Sequence, residues 1–385
     1  MNSDIFSLET EQTGMISRLK DATVLRELVE NMQHMIRIMD DEHSVVYMNK
    51  QMRDQFKDLE CKHCFEFFSR ETKCSNCVAD RAWESGESEE KSVNIGDKYF
   101  RLMSLPVTLT TGERFSVEIF DDITVQKRIE LELMDRYEAL TADLCIARSI
   151  QKGLLPKDGV YWNTIKLSSL YLPTDTLAGD IFDIVRINKD NFLLYIADVS
   201  GHGVHASLIT IFVKEVVRGN INAAAEGLGS LIEALVKSYM GIDIDPELYF
   251  SLLLCKYNKQ KKELKVANAG HNCYPLIVRK KGNVEEIKVK GLPISRLGNT
   301  MDYSETSVHF NRGDRLILYT DGITEEFNEE EQKAFGVEGV KAILINSNVI
   351  EGTELAHKIV NSASDYSTER FAKDDRAILV AEILS

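Results

Sequence analysis

Four aspartates at the ends of apolar runs constrain this chain more than any other feature. Residues 191–196, Asn-Phe-Leu-Leu-Tyr-Ile, are aliphatic and aromatic and read as a buried strand. They run into Ala197-Asp198-Val199-Ser200-Gly201-His202-Gly203, after which residues 204–218 carry apolar side chains at helical spacing. An aspartate at such a place is held rigidly by a core strand and open on one side. The neighbouring glycines let backbone approach whatever the carboxylate binds. A hard cation with oxygen ligands is the natural guest. Ala178-Gly179-Asp180-Ile181-Phe182-Asp183 lies one hairpin upstream, at the start of a strand over 182–187. Leu316-Ile317-Leu318-Tyr319-Thr320-Asp321-Gly322 is a second apolar strand ending in Asp-Gly, and Lys373-Asp374-Asp375-Arg376 opens a last strand over 377–384. Any one Asp-Gly is ordinary turn chemistry. Four acids at strand ends imply one carboxylate cluster at one edge of a sheet core.

The ordered motifs Ala-Gly-Asp-x-x-Asp (178–183), Asp-Val-Ser-Gly-His-Gly (198–203), Asn-Ala-Gly-His-Asn (268–272), Thr-Asp-Gly-Ile-Thr-Glu (320–325) and Asp374-Asp375 resemble the metal-dependent protein phosphatase (PPM) family. Within it they are most similar to the bacterial SpoIIE/RsbU-type branch, over residues 145–385. Ala178 stands where glycine is usual, and Cys273-Tyr274 where a proline usually follows.

The resemblance implies serine/threonine phosphomonoester hydrolysis. That reaction needs a hydroxide-like nucleophile, charge neutralisation and in-line geometry, and two divalent ions roughly 3.5–4 Å apart supply all three. It implies Asp198 as the bridging ligand, helped by the Val199 carbonyl, with Asp180 and Asp321 on one ion each and Asp374 completing the second site. Asp183 and Asp375 are expected to support these ligands or cap a helix. An all-oxygen site suits Mn²⁺ or Mg²⁺. His202 is expected to order its loop, with protonation of the leaving oxygen as the alternative. His271 is expected to support the metal loops from behind.

Two domains and a connector are the default for 385 residues. An N-terminal helix over 1–20 is expected, continuing to about 33 through an apolar stripe of Leu19, Val24, Leu25, Leu28 and Met32. Residues 21–124 then read as a hairpin at 35–49, short helices, and strands at 99–105 and 114–120. That order, ending in Asp122-Ile123-Thr124 with Lys127 and Glu130 beyond, resembles a PAS sensor domain.

Inside it lie Cys61-Lys62-His63-Cys64 and Cys74-Ser75-Asn76-Cys77. Two such pairs can place four thiolates around Zn²⁺, hold an iron–sulfur cluster, form a redox dithiol, or simply pack. The remaining cysteines, Cys145, Cys255 and Cys273, sit among apolar neighbours and read as buried thiols. A thiolate route to phosphate-ester cleavage is not expected.

Residues 125–155 read as one helix. Leu133, Tyr137, Leu140, Leu144, Ala147, Gln151 and Leu154 form a heptad seam, which implies a parallel homodimeric coiled coil with Gln151 as a polar seam position. From 156 to 385, many hairpin strands with helices in pairs exclude a βαβ fold. The expected fold is α+β: a PAS-like domain, a coiled-coil linker, and two antiparallel sheets flanked by helix pairs.

The net charge of −15 argues against nucleic acid as main partner. With no long apolar run and no basic leader, no membrane span and a cytoplasmic location are expected. The expected function is a signal-controlled phosphatase acting on a phosphorylated, STAS-type anti-sigma-factor antagonist. The rivals are a non-catalytic phosphoprotein-binding scaffold and a PAS/Cys redox or metal sensor.

Overall fold

The structure is a computed structural model that describes residues 22–56, 62–201, 203–296, 303–347, 350–368 and 373–384. The chain divides into two compact units, with the boundary between Ala139 and Leu140.

The N-terminal unit begins, among the described residues, with helix Ala22–Asn31. Residues 1–21, where the N-terminal helix is expected to start, lie outside the described residues. Strands β1 (Met35–Asp40) and β2 (Val45–Met48) form the expected hairpin. Helices Lys50–Gln55 and Val78–Ser85 follow. Strands β3 (Glu89–Ile95), β4 (Lys98–Thr108) and β5 (Arg114–Asp122) complete an antiparallel sheet of order β2-β1-β5-β4-β3. β3 is absent from the sequence reading. Glu89, Glu90, Lys91 and Asn94 make it polar, as suits an edge strand alternating between solvent and a half-buried face. The core packs Met52, Phe67, Val78, Phe100, Leu102 and Phe120 between the sheet and the short helices.

Thr124 starts a single helix, Thr124–Leu154. Leu133, Tyr137 and Leu140 of the expected seam are exposed, at 62%, 71% and 58%. Gln151 departs from the expectation: it is 3% exposed, inside the C-terminal unit. Its carboxamide bonds the backbone of Ala178 at both ends, Nε2 to the carbonyl at 2.7 Å and Oε1 from the N–H at 3.2 Å. A fully paired carboxamide is content in the core and has no need of a coil partner. Cys145, expected to be buried, faces solvent on this helix, whereas Cys255 and Cys273 are buried as expected.

The C-terminal unit holds β6 (Gly159–Tyr161), β7 (Ile165–Leu172), β8 (Asp180–Arg186), β9 (Asn191–Val199), β10 (Tyr249–Asn258) and β11 (Glu263–Ala269). It continues with β12 (Leu276–Val278), β13 (Val284–Glu286), β14 (Ile294–Ser295), β15 (Thr306–His309), β16 (Arg315–Tyr319), a β17–β18 ribbon (Phe327–Asn328, Lys333–Ala334) and β19 (Arg376–Ile383). One antiparallel sheet runs β15-β11-β10-β9-β8 with β14 on β10; the other runs β13-β12-β16-β19-β7-β6.

Alternation assigns the faces. In β9, Phe192, Leu194 and Ile196 enter the core shared by the two sheets. Leu193, Tyr195 and Ala197 point the other way, onto helices Val204–Gly219 and Leu228–Met240. In β19, Ala377 and Leu379 join the shared core, while Ile378 and Val380 pack on helices Gly336–Ile345 and Gly352–Tyr366. The result is helices, sheet, sheet, helices. Nearly every residue of β9 and β10 is buried, because both sheet faces are covered.

Candidate metal and phosphatase site

The same alternation collects the acids. Asp198 has the parity of Ile196, so it faces the space between the sheets at the open end of β9. Asp180 opens β8 on the same face and pairs directly with Asp198 across the ladder. In the other sheet, Thr320 carries the inward parity of Leu318 beyond the end of β16, and Asp321 begins the short helix Asp321–Thr324. Asp374 and Asp375 precede β19, which lies beside β16. A cavity of about 670 Å³ opens over them, lined by Asp198, Asp321, Lys373, Asp374 and Asp375 among others. Of the four expected ligands, Asp198, Asp321 and Asp374 line this cavity, and Asp180 lies buried beneath it.

Burial, followed by the charge of Asp198, pushes the Asp180 carboxyl well above the usual carboxylate range. Burial, then Asp321, Asp374 and Asp375, pushes Asp198 up to about 8. Burial also raises Asp321 and Glu325. No Lys or Arg pairs with Asp180, Asp198 or Asp321 among the described residues. Carboxylates crowded this way are short of positive charge, and an all-oxygen donor set fits a hard divalent cation.

Backbone and side chains around the acids hold them in place. Thr320 Oγ1 donates to Asp180 Oδ2 at 2.8 Å and accepts from the Ala377 N–H at 2.9 Å, so one hydroxyl ties both sheets together at the site. Asp375 accepts from the N–H groups of Thr174 and Gly179 at 2.7 Å each, latching the loop that leads into Asp180. That fits the supporting role expected of it. Gly179 is required there, since a Cβ would stand 2.9 Å from the Val199 carbonyl oxygen. Gly322 is equally constrained: a Cβ would meet the Asp375 carbonyl oxygen at 2.1 Å. Asn272 lines the same cavity as Asp321.

Asp183 lies elsewhere. It faces the helix layer and is buried between Lys214 (2.9 Å) and Arg218 (2.7 Å), anchoring helix Val204–Gly219. His271 is 4% exposed, and burial pushes its imidazole down to about 4. Its Nε2 lies 3.0 Å from the Tyr319 carbonyl, which can only accept, so Nε2 carries the proton and Nδ1 accepts from Ser251 at 2.9 Å. A neutral, fully bonded histidine behind the Thr320-Asp321 turn braces it, as expected. His202 lies outside the described residues.

Cys61 lies outside the described residues, and among those described Cys64, Cys74 and Cys77 do not form a group at mutual ligand distance. The sequence does hold two Cys-x5-Arg spacings, Cys64 to Arg70 and Cys273 to Arg279, and burial pushes the Cys273 thiol far above its ordinary value. Burial pushes the Cys64 thiol up to about 12, which leaves it protonated and unfit as a nucleophile.

Thr320, Gln151 and Asn272 escaped the sequence reading as parts of the site. For Thr320 a signal existed: a polar residue at inward parity directly before an aspartate of the cluster.

The chain is 22% identical over 244 residues to phosphoserine phosphatase RsbU of Bacillus subtilis, covering 61% of this chain and 70% of that protein. It is 22% identical over 183 residues to phosphoserine phosphatase RsbP of the same organism, covering 47% of this chain and 45% of that one. The fold matches the SiaA PP2C domain of Pseudomonas aeruginosa at a TM-score of 0.55 and 21% identity, over 64% of this chain and 98% of that domain. The family model for stage II sporulation protein E matches residues 188–384, which include Asp198, Asp321 and Asp374. The chain therefore belongs to the SpoIIE family of PPM-type phosphatases.

Proposed function

We propose that the chain is a metal-dependent serine/threonine protein phosphatase controlled by its N-terminal unit. The observation that carries this reading is the convergence of Asp180, Asp198, Asp321 and Asp374 at one edge of two stacked sheets. Its relatives RsbU and RsbP, named as phosphoserine phosphatases, support the choice of ester. A scaffold that only binds phosphoprotein would have no use for a buried carboxylate cluster so costly to keep charged.

Asp180, Asp198, Asp321 and Asp374, with the Val199 carbonyl, would hold two Mn²⁺ or Mg²⁺ ions. When bound, such ions supply a nucleophile at neutral pH and neutralise charge on the phosphoryl oxygens. The chain itself contributes position. Thr320 fixes the Asp180 carboxylate, Asp375 fixes the Asp180 loop, and His271 fixes the turn before Asp321. Lys373 is a basic side chain on the cavity wall and would attract the phosphoryl group.

The substrate we assign is a folded phosphoprotein of the STAS-type anti-sigma-factor antagonist class, by resemblance to the SpoIIE/RsbU branch. The five-stranded order β2-β1-β5-β4-β3 supports a PAS-like sensor in the N-terminal unit. Exposed Leu133, Tyr137 and Leu140 on one helix support a parallel homodimer through that segment. No described helix is long and apolar enough to cross a membrane, and a cytoplasmic site of action fits that.

The test is phosphate release from a phosphoserine protein and from a phosphotyrosine peptide, in Mn²⁺ and after chelation. Chelator-sensitive release with preference for the phosphoserine protein is expected. Release that persists in EDTA, or equal specificity constants for both substrates, would overturn the reading.

A further inference from the structure

The N-terminal unit contains a second group of metal-ligating atoms, distinct from the two Cys-x-x-Cys pairs as a set. His43 sits at the β1–β2 turn with φ 67° and is 5% exposed. Its ring stacks on Trp83 at a centroid distance of 5.6 Å. Its Nε2 lies 3.2 Å from Asp80 Oδ1 and 3.9 Å from Cys77 Sγ. Cys77 occupies the N-cap position of helix Val78–Ser85 and Asp80 lies in its first turn, so the two project from neighbouring positions. All three ligand atoms lie within 4.8 Å of one another.

We propose that His43, Cys77 and Asp80 bind a zinc-class divalent cation, with the fourth position open to water.

A protonated Nε2 would make an ordinary histidine–carboxylate hydrogen bond to Asp80, with the weakly donating Cys77 thiol beside it. A cation between the three instead binds imidazole, thiolate and carboxylate at once. The spacing agrees: zinc bond lengths of about 2.0–2.3 Å in a tetrahedron put ligand atoms roughly 3.3–3.6 Å apart. The two distances above bracket that value.

His43 Nδ1 is buried with no hydrogen-bond partner among the described residues, so a metal on Nε2 leaves the Nδ1 proton unpaired, a cost that binding of the ion must offset. The other neighbours fit. Lys73 donates to the outer oxygen of Asp80 at 3.0 Å, turning the inner one toward His43. Among the described residues neither Cys64 nor Cys74 reaches ligand distance of all three atoms, which leaves the fourth position to water. A mixed nitrogen, sulfur and oxygen set selects zinc over the hard cations suited to the aspartate site. An iron–sulfur cluster would need four cysteines, and this set has a histidine and an aspartate in their place. The ion would pin the β1–β2 turn to the start of helix Val78–Ser85.

The test loads the full chain with Zn²⁺, removes free metal by gel filtration and counts zinc per chain. Co²⁺ is then substituted, because thiolate-to-cobalt charge transfer reports this site and is silent for an all-oxygen site. One zinc per chain and a thiolate band are expected. His43→Gln and the isosteric Asp80→Asn should each weaken zinc binding about tenfold to a hundredfold, with unchanged circular dichroism. Cys145→Ser, at an exposed position on another helix, should bind as the parent does. Absence of stoichiometric zinc would overturn the proposal. So would retention of zinc in both variants with its loss in Cys61→Ser, the signature of a four-thiolate site.

Discussion

Asp180 and Asp198 stand directly opposite each other on the antiparallel β8–β9 ladder. Like charges at opposed ladder positions repel, and burial removes the water that would soften the repulsion. The pair is therefore unfavourable for folding unless a cation or a proton intervenes. Function and stability pull in opposite directions at these two residues.

Asp198→Asn tests that opposition. Removing one carboxylate should cut Mn²⁺-dependent phosphate release by at least about 100-fold, since the proposed bridging ligand is lost. It should also raise the melting temperature of the chelator-treated protein. Turnover near the parent's in saturating metal would show that Asp198 is not a ligand. A lower melting temperature would show that the pair is not strained.

The pH dependence of the metal-free protein follows from the same shifts. Asp198 has an ordinary value of 3.8 and is pushed up to about 8 in the fold. Folding therefore favours its protonated form. That contribution is complete below the ordinary value and is lost as pH rises through the folded value. Chelator-treated protein should melt at progressively lower temperature from pH 5 to pH 8, and added Mn²⁺ should raise the melting point more at pH 8 than at pH 5. A flat profile in chelator, or a larger metal effect at pH 5, contradicts this.

Thr320→Val should separate positioning from ligation. The valine keeps the shape but removes the hydroxyl that donates to Asp180 and accepts from Ala377. All four carboxylates proposed as ligands remain. Apparent Mn²⁺ affinity should fall roughly 10–100-fold, with most turnover recovered at high metal. Titration of activity against Mn²⁺ reads this directly, and an unchanged midpoint would remove Thr320 from the site.

The aspartates were legible because strand parity is strict. A period of two, read off the apolar residues of β9 and β16, sends Asp198 and Thr320 to the same side as the core between the sheets. What stayed hidden depends on contacts distant in sequence. His43 meets Cys77 across 34 positions, and no local pattern marks that approach. β3 was missed because its charges mask alternation at an edge. Asp183 shares a motif with Asp180 but sits at the opposite parity, and its partners Lys214 and Arg218 lie on a helix layer the motif does not reveal. Cys145 read as buried because its helix carries apolar residues on more than one face.

Gln151 shows how a seam at heptad spacing can mislead, and it gives the last prediction. Its spacing from Leu144, Ala147 and Leu154 is that of a coil core, yet its carboxamide is spent on both backbone groups of Ala178 and on Thr210 at 3.2 Å. Ala178 lies two residues before Asp180, so the end of this helix braces the ligand loop. In a coil, Gln151→Leu would tighten the seam and raise stability. In the observed arrangement it strands a buried N–H and a buried carbonyl, each costing roughly 1–3 kcal/mol. Gln151→Leu should therefore lower the melting temperature and weaken Mn²⁺ binding, with molar mass unchanged. Gln151→Glu should do the same, because its carboxylate still accepts from the Ala178 N–H but confronts the Ala178 carbonyl. Light scattering, thermal melts and metal titration on the three proteins decide the matter. A Gln151→Leu protein that melts higher and associates more tightly would return this residue to the coil.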